Sequence, residues 1–394
     1  MNYHISDRMA ALQPSAIREI LKATSDPSII PFAAGNPAAE AFPAKEIAAI
    51  SAEILEKEPI TALQYSITEG YPLLRESIKD FACRHENLFH GDDAIITCSG
   101  AQQGIELTTK CLCNEGDTVI CEDPSFIGSL NTFRSYKTNL VGIPMESDGM
   151  NLELLEKALK ENPNTRFIYV IPNFQNPTGY TTSLEKRKAI YALAKQYGVM
   201  ILEDNPYGEL RYSGQGVPSI KSFDEENIVV YCGSFSKIIS PGMRIGYVIA
   251  PQPLLAKIIV AKQASDVHSN IWAQMVCDRF LRQTDMDSHI AMLNDIYRRK
   301  VDLMTSCMEQ HFSKSVSYTK PEGGLFLWCD LPEHVDMMDF CSKAVQNKVA
   351  VVPGIAFAVQ PGSHTHSIRL NFSTPSDEGI VRGIEILGKM TQNF

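Results

Sequence analysis

The spacing of apolar residues changes period repeatedly along this chain. Residues 14–24 carry Ala16, Ile17, Ile20 and Leu21 at helical spacing, and residues 45–57 repeat that pattern after a loop-like PFAAGNPAAEAFP stretch. From residue 72 onward, helical patterns at 72–86, 100–112, 125–136, 152–161 and 184–197 alternate with short β-rich runs. These runs lie at 94–99, 118–123, 140–144, 167–172, 200–204, 228–233 and 245–250. Ser183 stands where the 184–197 helix needs an N-cap. Such alternation predicts an α/β fold with a mainly parallel central sheet and helices on both faces. After residue 250 the order changes. Helices are expected at 254–266, 269–284 and 290–312, then strands at 326–331, 350–353 and 368–372 with helices at 337–347 and 378–390. The pattern divides into an N-terminal helix and arm (1–44), a large domain (45–285) and a smaller α+β domain (286–394).

Composition narrows the function. The 394 residues include 46 acidic and 36 basic side chains, for a net charge of −10, with no basic run to offset it. That balance argues against nucleic acid, which needs clustered Lys and Arg. No apolar run reaches the ~18 residues of a membrane helix, and the N-terminus lacks the apolar core of a signal peptide. The ten cysteines show no CxxC spacing, which fits buried thiols in a reducing cytoplasm better than a zinc site.

In a parallel sheet, ligands bind beyond the carboxyl ends of the strands, and four such ends carry chemistry. The strand at 228–233 runs into Ser234, Ser236 and Lys237, with Arg244 shortly after. A shielded lysine amine can form a Schiff base, and hydroxyls with a guanidinium suit a phosphate; alone, the stretch also reads as a surface loop. The strand at 200–204 ends on Asp204, followed by Tyr207. An acid there needs a cation or donor, which a protonated pyridine nitrogen or an N-cap role would each supply. Asn176 lies in a dense turn after the 167–172 strand and offers an amide to a phenolate oxygen, or simply an Asn-Pro turn. Gly100, Ala101 and Gln102 open a helix whose N-terminus favours an anion. Together the four ends offer an amine, a ring-nitrogen partner, phenolate donors and phosphate contacts, the attachment points of pyridoxal phosphate.

At this level the sequence resembles the class I/II aminotransferases, fold type I among pyridoxal-phosphate enzymes, in the 2-aminoadipate and kynurenine aminotransferase branch. The resemblance rests on SAIREIL (15–21), ALQYSITEGYPLLRE (62–76), IPNFQNPTG (171–179), EDNPYGEL (203–210), GSFSKIISPGMRIGY (233–247), PEGGLFLW (321–328) and IRLNF (368–372). It implies that Lys237 holds the cofactor as a Schiff base and moves the substrate proton, that Asp204 pairs with the ring nitrogen, and that Asn176 and Tyr207 hold the ring oxygen. Gly100, Ala101, Gln102, Ser234, Ser236 and Arg244 then surround the phosphate, and Phe126 stacks on the ring. Arg369, with Gly35 and Asn176, receives the substrate carboxylate. Tyr65 reaches the site of a second subunit, which implies a homodimer with shared active sites. Ser15 and Arg18 are placed to meet the distal end of a substrate. Two positions depart from the family pattern: Ala101 where a hydroxyl is common, and Phe126 where tyrosine is common.

The activity implied is ping-pong transamination from an L-amino acid to a 2-oxo acid such as 2-oxoglutarate. Glutamate and 2-aminoadipate are the favoured donors, with aromatic residues, leucine and kynurenine open. Arg18 reads equally as a helix ion pair. A lyase or decarboxylase on the same fold would share the cofactor residues. A regulator using the fold as an effector sensor needs a DNA-binding domain in front, for which the position of Ser15 and Arg18 leaves no room. His364 and His366 are spaced like a metal pair but fit a solvent-facing loop, and Trp272 and Trp328 are assigned to core or interface.

Overall fold

The structure is a computed structural model that describes residues 3–10, 12, 26–360, 362–363, 365–392 and 394. The expected helix at 14–24, with Ser15 and Arg18, and His364 lie outside the described residues.

Eight strands form the large sheet: β1 (Asp93–Cys98), β2 (Thr118–Asp123), β3 (Asn139–Glu146), β4 (Gly149–Met150), β5 (Thr165–Val170), β6 (Met200–Asn205), β7 (Val229–Ser234) and β8 (Gly246–Pro251). Their order is β1-β8-β7-β6-β5-β2-β3-β4. β7, β6, β5, β2 and β3 run parallel to one another. β8, next to the edge strand β1, is antiparallel to both neighbours, and the two-residue β4 is antiparallel to β3 at the other edge. For β8 the reason is local: β7 and β8 are joined only by Phe235–Ile245, too short for the helical crossover that a parallel pair needs. Alternate residues of β5 and β6 feed different cores. Phe167, Tyr169 and Leu202 join one apolar cluster, and Ile168, Val170 and Ile201 join the other. Both faces are therefore buried, which is why these strands read as nearly continuous apolar runs.

The helices follow their sequence signals. Leu184–Tyr197 is capped by Ser183, whose side chain accepts from the Lys186 N–H, and it ends at Gly198 in the left-handed conformation. The long helix Met286–His311 leads into a second, antiparallel sheet of β9 (Ser317–Tyr318), β10 (Phe326–Asp330), β11 (Val352–Pro353) and β12 (Ser367–Asn371). Its order is β11-β12-β10-β9. The stretch after residue 26 joins this sheet rather than the large one. Ile30 bridges to Val349, and the Phe32 carbonyl accepts from the Asn371 N–H at 2.8 Å. Trp328 is buried, whereas Trp272 is partly exposed. The sequence pattern did not expose the two-residue strands β4 and β9 or the short helix Pro59–Leu63. None is long enough to display a period.

Candidate functional site

The carboxyl ends of β5, β6 and β7 converge with β12 on a cavity of about 430 Å³. Its lining includes Gly35, Ala101, Gln102, Phe126, Asn176, Asp204, Tyr207, Ser234, Ser236, Lys237, Arg244 and Arg369. Two sheets thus contribute to one site: the large sheet brings the amine and the acid, and the second brings the guanidinium of Arg369.

The Phe235–Ile245 return is the main positioning device. Ser234 ends β7 directly opposite Gly246, and the Phe235 N–H donates to the Ile245 carbonyl at 3.1 Å. Lys237 and Arg244 are therefore held between two paired strands. Arg244 adopts the left-handed conformation (φ 56°) at the end of the short helix Pro241–Met243. From there its Nη2 donates to the Ser99 carbonyl at 3.0 Å. The approach is close enough that glycine is required on both sides. A Cβ at Gly100, where φ is +82°, would lie 2.2 Å from Arg244 Nη2, and a Cβ at Gly246 would lie 2.6 Å from the Ala101 nitrogen. Gly100 caps the helix Ala101–Leu112 without a side-chain bond, so the first N–H groups of that helix face the same point as Arg244.

Lys237 Nζ donates to the Gly35 carbonyl at 2.7 Å. Burial, with repulsion from Arg369 and Arg244, pulls its amine down to about 8. Asp204 is fully buried, and its carboxyl is pushed up to about 7 by burial, against a hydrogen bond from Tyr169. That bond runs from the Tyr169 hydroxyl to Oδ2 at 2.7 Å, and Ser129 Oγ donates to the Tyr169 oxygen at 2.8 Å. Oδ1 of Asp204 is buried and has no partner among the described residues. Asn176 Nδ2 stands 3.5 Å from the Tyr207 hydroxyl. Burial raises the Tyr207 phenol well above its ordinary value.

Arg369 is held as a rigid fork. Nη1 donates to Asn176 Oδ1 at 2.9 Å, and Nη2 donates to the carbonyls of Ala33 and Ala34 at 3.0 and 3.1 Å. Its guanidinium lies 4.2 Å from the Phe326 ring centroid and 5.0 Å from that of Phe357. Nε is buried without a partner among the described residues. Burial lowers its pKa to about 10, so it stays charged at neutral pH.

Of the residues expected from sequence, Gly100 adjoins the lining through Arg244, and Tyr65 stands apart. Tyr65 is 83 % exposed, edge-on to His268 at 5.8 Å, and is absent from the cavity lining. Ser236 is buried and lines the cavity, and its N–H donates to Ser234 Oγ at 3.1 Å. Sequence reasoning missed Tyr169, Ser129, Asn36, Phe326 and Phe357. Tyr169 shares the strand face of Phe167 and Ile171, and only the pairing of β5 with β6 turns that face toward Asp204.

The donor set matches a phosphorylated pyridine aldehyde. The unpartnered Asp204 oxygen fits a protonated ring nitrogen, and the paired Asn176 and Tyr207 groups fit a ring oxygen. The Arg244, Ser234, Ser236 and helix N-terminal groups fit a phosphate, and the depressed Lys237 amine fits the aldehyde. Ala101 supplies only its backbone N–H, and Phe126 supplies only an apolar ring.

Comparison with known proteins gives the same assignment. The family profile "Aminotransferase class I and II" matches residues 27–387. The chain is 38% identical to the aromatic-amino-acid aminotransferase 1 of Thermococcus litoralis, over 98% of this chain and 93% of that protein. It is 36% identical to the 2-aminoadipate transaminase of Thermus thermophilus, over 96% of this chain and 94% of that protein. The crystal structure of Pyrococcus horikoshii kynurenine aminotransferase in complex with PMP superposes with a TM-score of 0.94. It shares 35% identity, covering 99% of this chain and 97% of that one.

Proposed function

The chain belongs to the class I and II aminotransferases and uses pyridoxal phosphate, and on that premise we propose that it moves an amino group from an L-amino acid to a 2-oxo acid such as 2-oxoglutarate by a ping-pong cycle. The observation that carries this reading is the meeting of a depressed lysine amine, a buried carboxylate with one free oxygen and a buried guanidinium with an unpartnered Nε in a single cavity. The cofactor, when bound, supplies the carbonyl that takes up the amino group and the ring that accepts electrons from the substrate α-carbon.

The residues of the chain do the rest. Lys237 Nζ, substantially neutral near pH 8, takes the α-proton of the amino acid and later returns one. Asp204 Oδ1 accepts from the protonated ring nitrogen, and the Tyr169 hydroxyl on Oδ2 fixes the carboxylate's orientation. Asn176 and Tyr207 hold the ring oxygen. Arg244, Ser234, Ser236 and the N–H groups at Gly100, Ala101 and Gln102 hold the phosphate. Phe126 covers the ring. Arg369, with Asn176 and the backbone at Gly35, receives the α-carboxylate, and its contacts with the Phe326 and Phe357 rings help hold its planar fork in place.

The donors proposed are glutamate and 2-aminoadipate, together with aromatic and branched-chain amino acids. The apolar lining of Phe126, Ile127, Phe326 and Phe357 suits the latter group, and Arg18 with Ser15 is the proposed partner of a distal carboxylate. The working unit is proposed to be a homodimer. Ile60 (78 % exposed), Leu63 (75 %) and Tyr65 (83 %) form a run of large side chains open to solvent, with Trp272 also partly exposed. A second copy covering that run would place Tyr65 at its neighbour's site. The boundaries after residues 44 and 285 belong to the same reading, supported by two sheets that lie wholly on either side of residue 286. A cytoplasmic setting is proposed on ten free thiols and the absence, among described residues, of any helix able to cross a membrane.

The test is a panel of amino donors with 2-oxoglutarate, run on wild type and Arg18→Ala. Turnover is expected, with the glutamate and 2-aminoadipate rates falling selectively in the variant. No exchange with any common amino acid would overturn the transaminase reading, and an unselective Arg18→Ala effect would overturn the distal-carboxylate role.

A further inference from the structure

Behind the proposed phosphate-holding end lies a buried polar cluster that the chemistry above does not use. Lys262, at the end of the helix Gln252–Gln263, is 0 % exposed. Its Nζ donates to Asp266 Oδ1 and Oδ2 at 2.8 and 3.0 Å, to Ser269 Oγ at 2.9 Å and to Gln103 Oε1 at 3.0 Å. Asp266 in turn accepts from Gln103 Nε2 at 2.7 Å and from Ser99 Oγ at 2.9 Å. Burial raises the Asp266 carboxyl, but the hydrogen bonds from Lys262, Gln103 and Ser99 outweigh it and hold the group below its usual value.

Every arm of the cluster ends on Ser99. The Ser99 N–H donates to Gln103 Oε1 at 2.7 Å, its hydroxyl meets Asp266 and Ser269, and its carbonyl receives Arg244 Nη2. Ser99 immediately precedes Gly100 and the first turn of the helix Ala101–Leu112. A buried ammonium left without such partners is costly, so three chain segments are locked together around it. The locked point is the peptide from which both the helix N–H groups and Arg244 are aimed. The same loop carries His268, against which Tyr65 packs.

We propose that Lys262 and Asp266 are positioning residues for the phosphate of the cofactor: they fix Ser99, and through it the relative placement of Arg244 and the Gly100–Gln102 backbone. This rests on the phosphate assignment made above. An ion pair serving stability alone would lower the melting temperature without changing which ligand the site prefers. A positioning pair changes the preference for a phosphorylated over an unphosphorylated ligand.

The experiment strips the holoenzyme and reloads it with either pyridoxal 5′-phosphate or pyridoxal, measuring both dissociation constants by absorbance. Wild type is expected to favour the phosphorylated form strongly, and Arg244→Ala to lose most of that preference. Lys262→Met is expected to cut the preference by about 10–100-fold, the scale found for groups that orient a ligand-holding residue from behind, with pyridoxal affinity nearly unchanged. Should the single variant not fold, Lys262→Met/Asp266→Asn removes both charges at once and leaves no lone buried ion, and Ser99→Ala removes only the hydroxyl arm. A preference within about twofold of wild type in these variants, beside a clear loss in Arg244→Ala, would overturn the positioning role alone. An unchanged preference in Arg244→Ala would overturn the phosphate assignment and this inference with it.

Discussion

Glu203 and Asp204 are consecutive on β6 and both fully buried, yet they face different regions of the molecule. Glu203 points to the rear of the sheet, where its carboxylate accepts from the N–H groups of Ile220 and Lys221 at 3.0 and 2.8 Å. Arg187, beside it, spends its guanidinium entirely on oxygens of Pro172, Asn173, Thr182, Val217 and Pro218. Asp204 points to the cavity and keeps one oxygen free, as Arg369 keeps its Nε. Burial raises both acids to about 7, so a shifted titration does not separate them. What separates them is whether the hydrogen-bonding capacity is used up. Spare capacity marks a ligand site only where it opens on the cavity, as at Asp204: Asp93 and Asp278 also keep one buried carboxylate oxygen unpartnered among the described residues, and neither lines that cavity.

The contrast can be broken by substitution. The largest effect is expected at Lys237→Ala, where kcat/KM should fall on the order of 10⁴-fold or more, with loss of the visible absorption of the cofactor-loaded protein. Activity surviving within tenfold would remove Lys237 from the mechanism. Asp204→Asn should lower kcat/KM by about 10³-fold, because a neutral amide no longer favours the protonated ring. The same variant sharpens the contrast by pH. Burial pushes the Asp204 carboxyl up to about 7 in the folded, ligand-free protein, against 3.8 for an ordinary aspartate in the unfolded chain. The folded protein therefore holds the extra proton between these values, and this group's contribution to stability, complete below about 4, is lost as pH rises to 7. Asparagine mimics the protonated acid, so ligand-free Asp204→Asn should gain on wild type in melting temperature over that window. No gain would place the Asp204 titration elsewhere.

Arg369→Lys should cost about 2 kcal/mol, or ~30-fold in kcat/KM and mainly through KM, since a lysine cannot reproduce the fork held by Asn176, Ala33 and Ala34. An unchanged KM would argue that the substrate carboxylate binds elsewhere. On the rear face the expectation reverses. Glu203→Gln should lower stability by about 1–3 kcal/mol while changing kcat/KM of the folded protein less than about threefold. A large rate loss there would erase the distinction between the two faces.

How much of this could be read from sequence follows the same division. Lys237, Asp204 and Arg244 were legible because each sits in a dense local motif next to a strand end, and the strand ends themselves follow from apolar runs; Arg369, inside β12, was reached only through the family resemblance. Tyr169 was not legible, because inside FIYVIP it reads as one more buried aromatic; its hydroxyl acquires meaning only when β5 is laid beside β6. Phe326 and Phe357 likewise become part of the site only when the second sheet folds back over the first. Nothing local marks Lys262, because its burial and its bond to Gln103 Oε1 appear only when the helix Gln252–Gln263 is packed beside a segment 159 residues away. The antiparallel course of β8 was hidden by its composition, which matches that of its parallel neighbours, although the shortness of the 235–245 connection already required it.

That short connection has a consequence for how this protein can change. Both of its ends are pinned in a buried sheet, Ser234 against Gly246 and Tyr231 against Ile249. A one-residue slip of β8 against β7 would exchange its two faces, so that Tyr247 and Val248 would trade sides of the sheet. Any change of length in the segment that carries Lys237 must therefore be absorbed within the loop itself, without slipping β8 against β7 and without moving Lys237 or Arg244, so any lineage or library descended from this chain is expected to explore new substrates through residues that line the cavity from elsewhere.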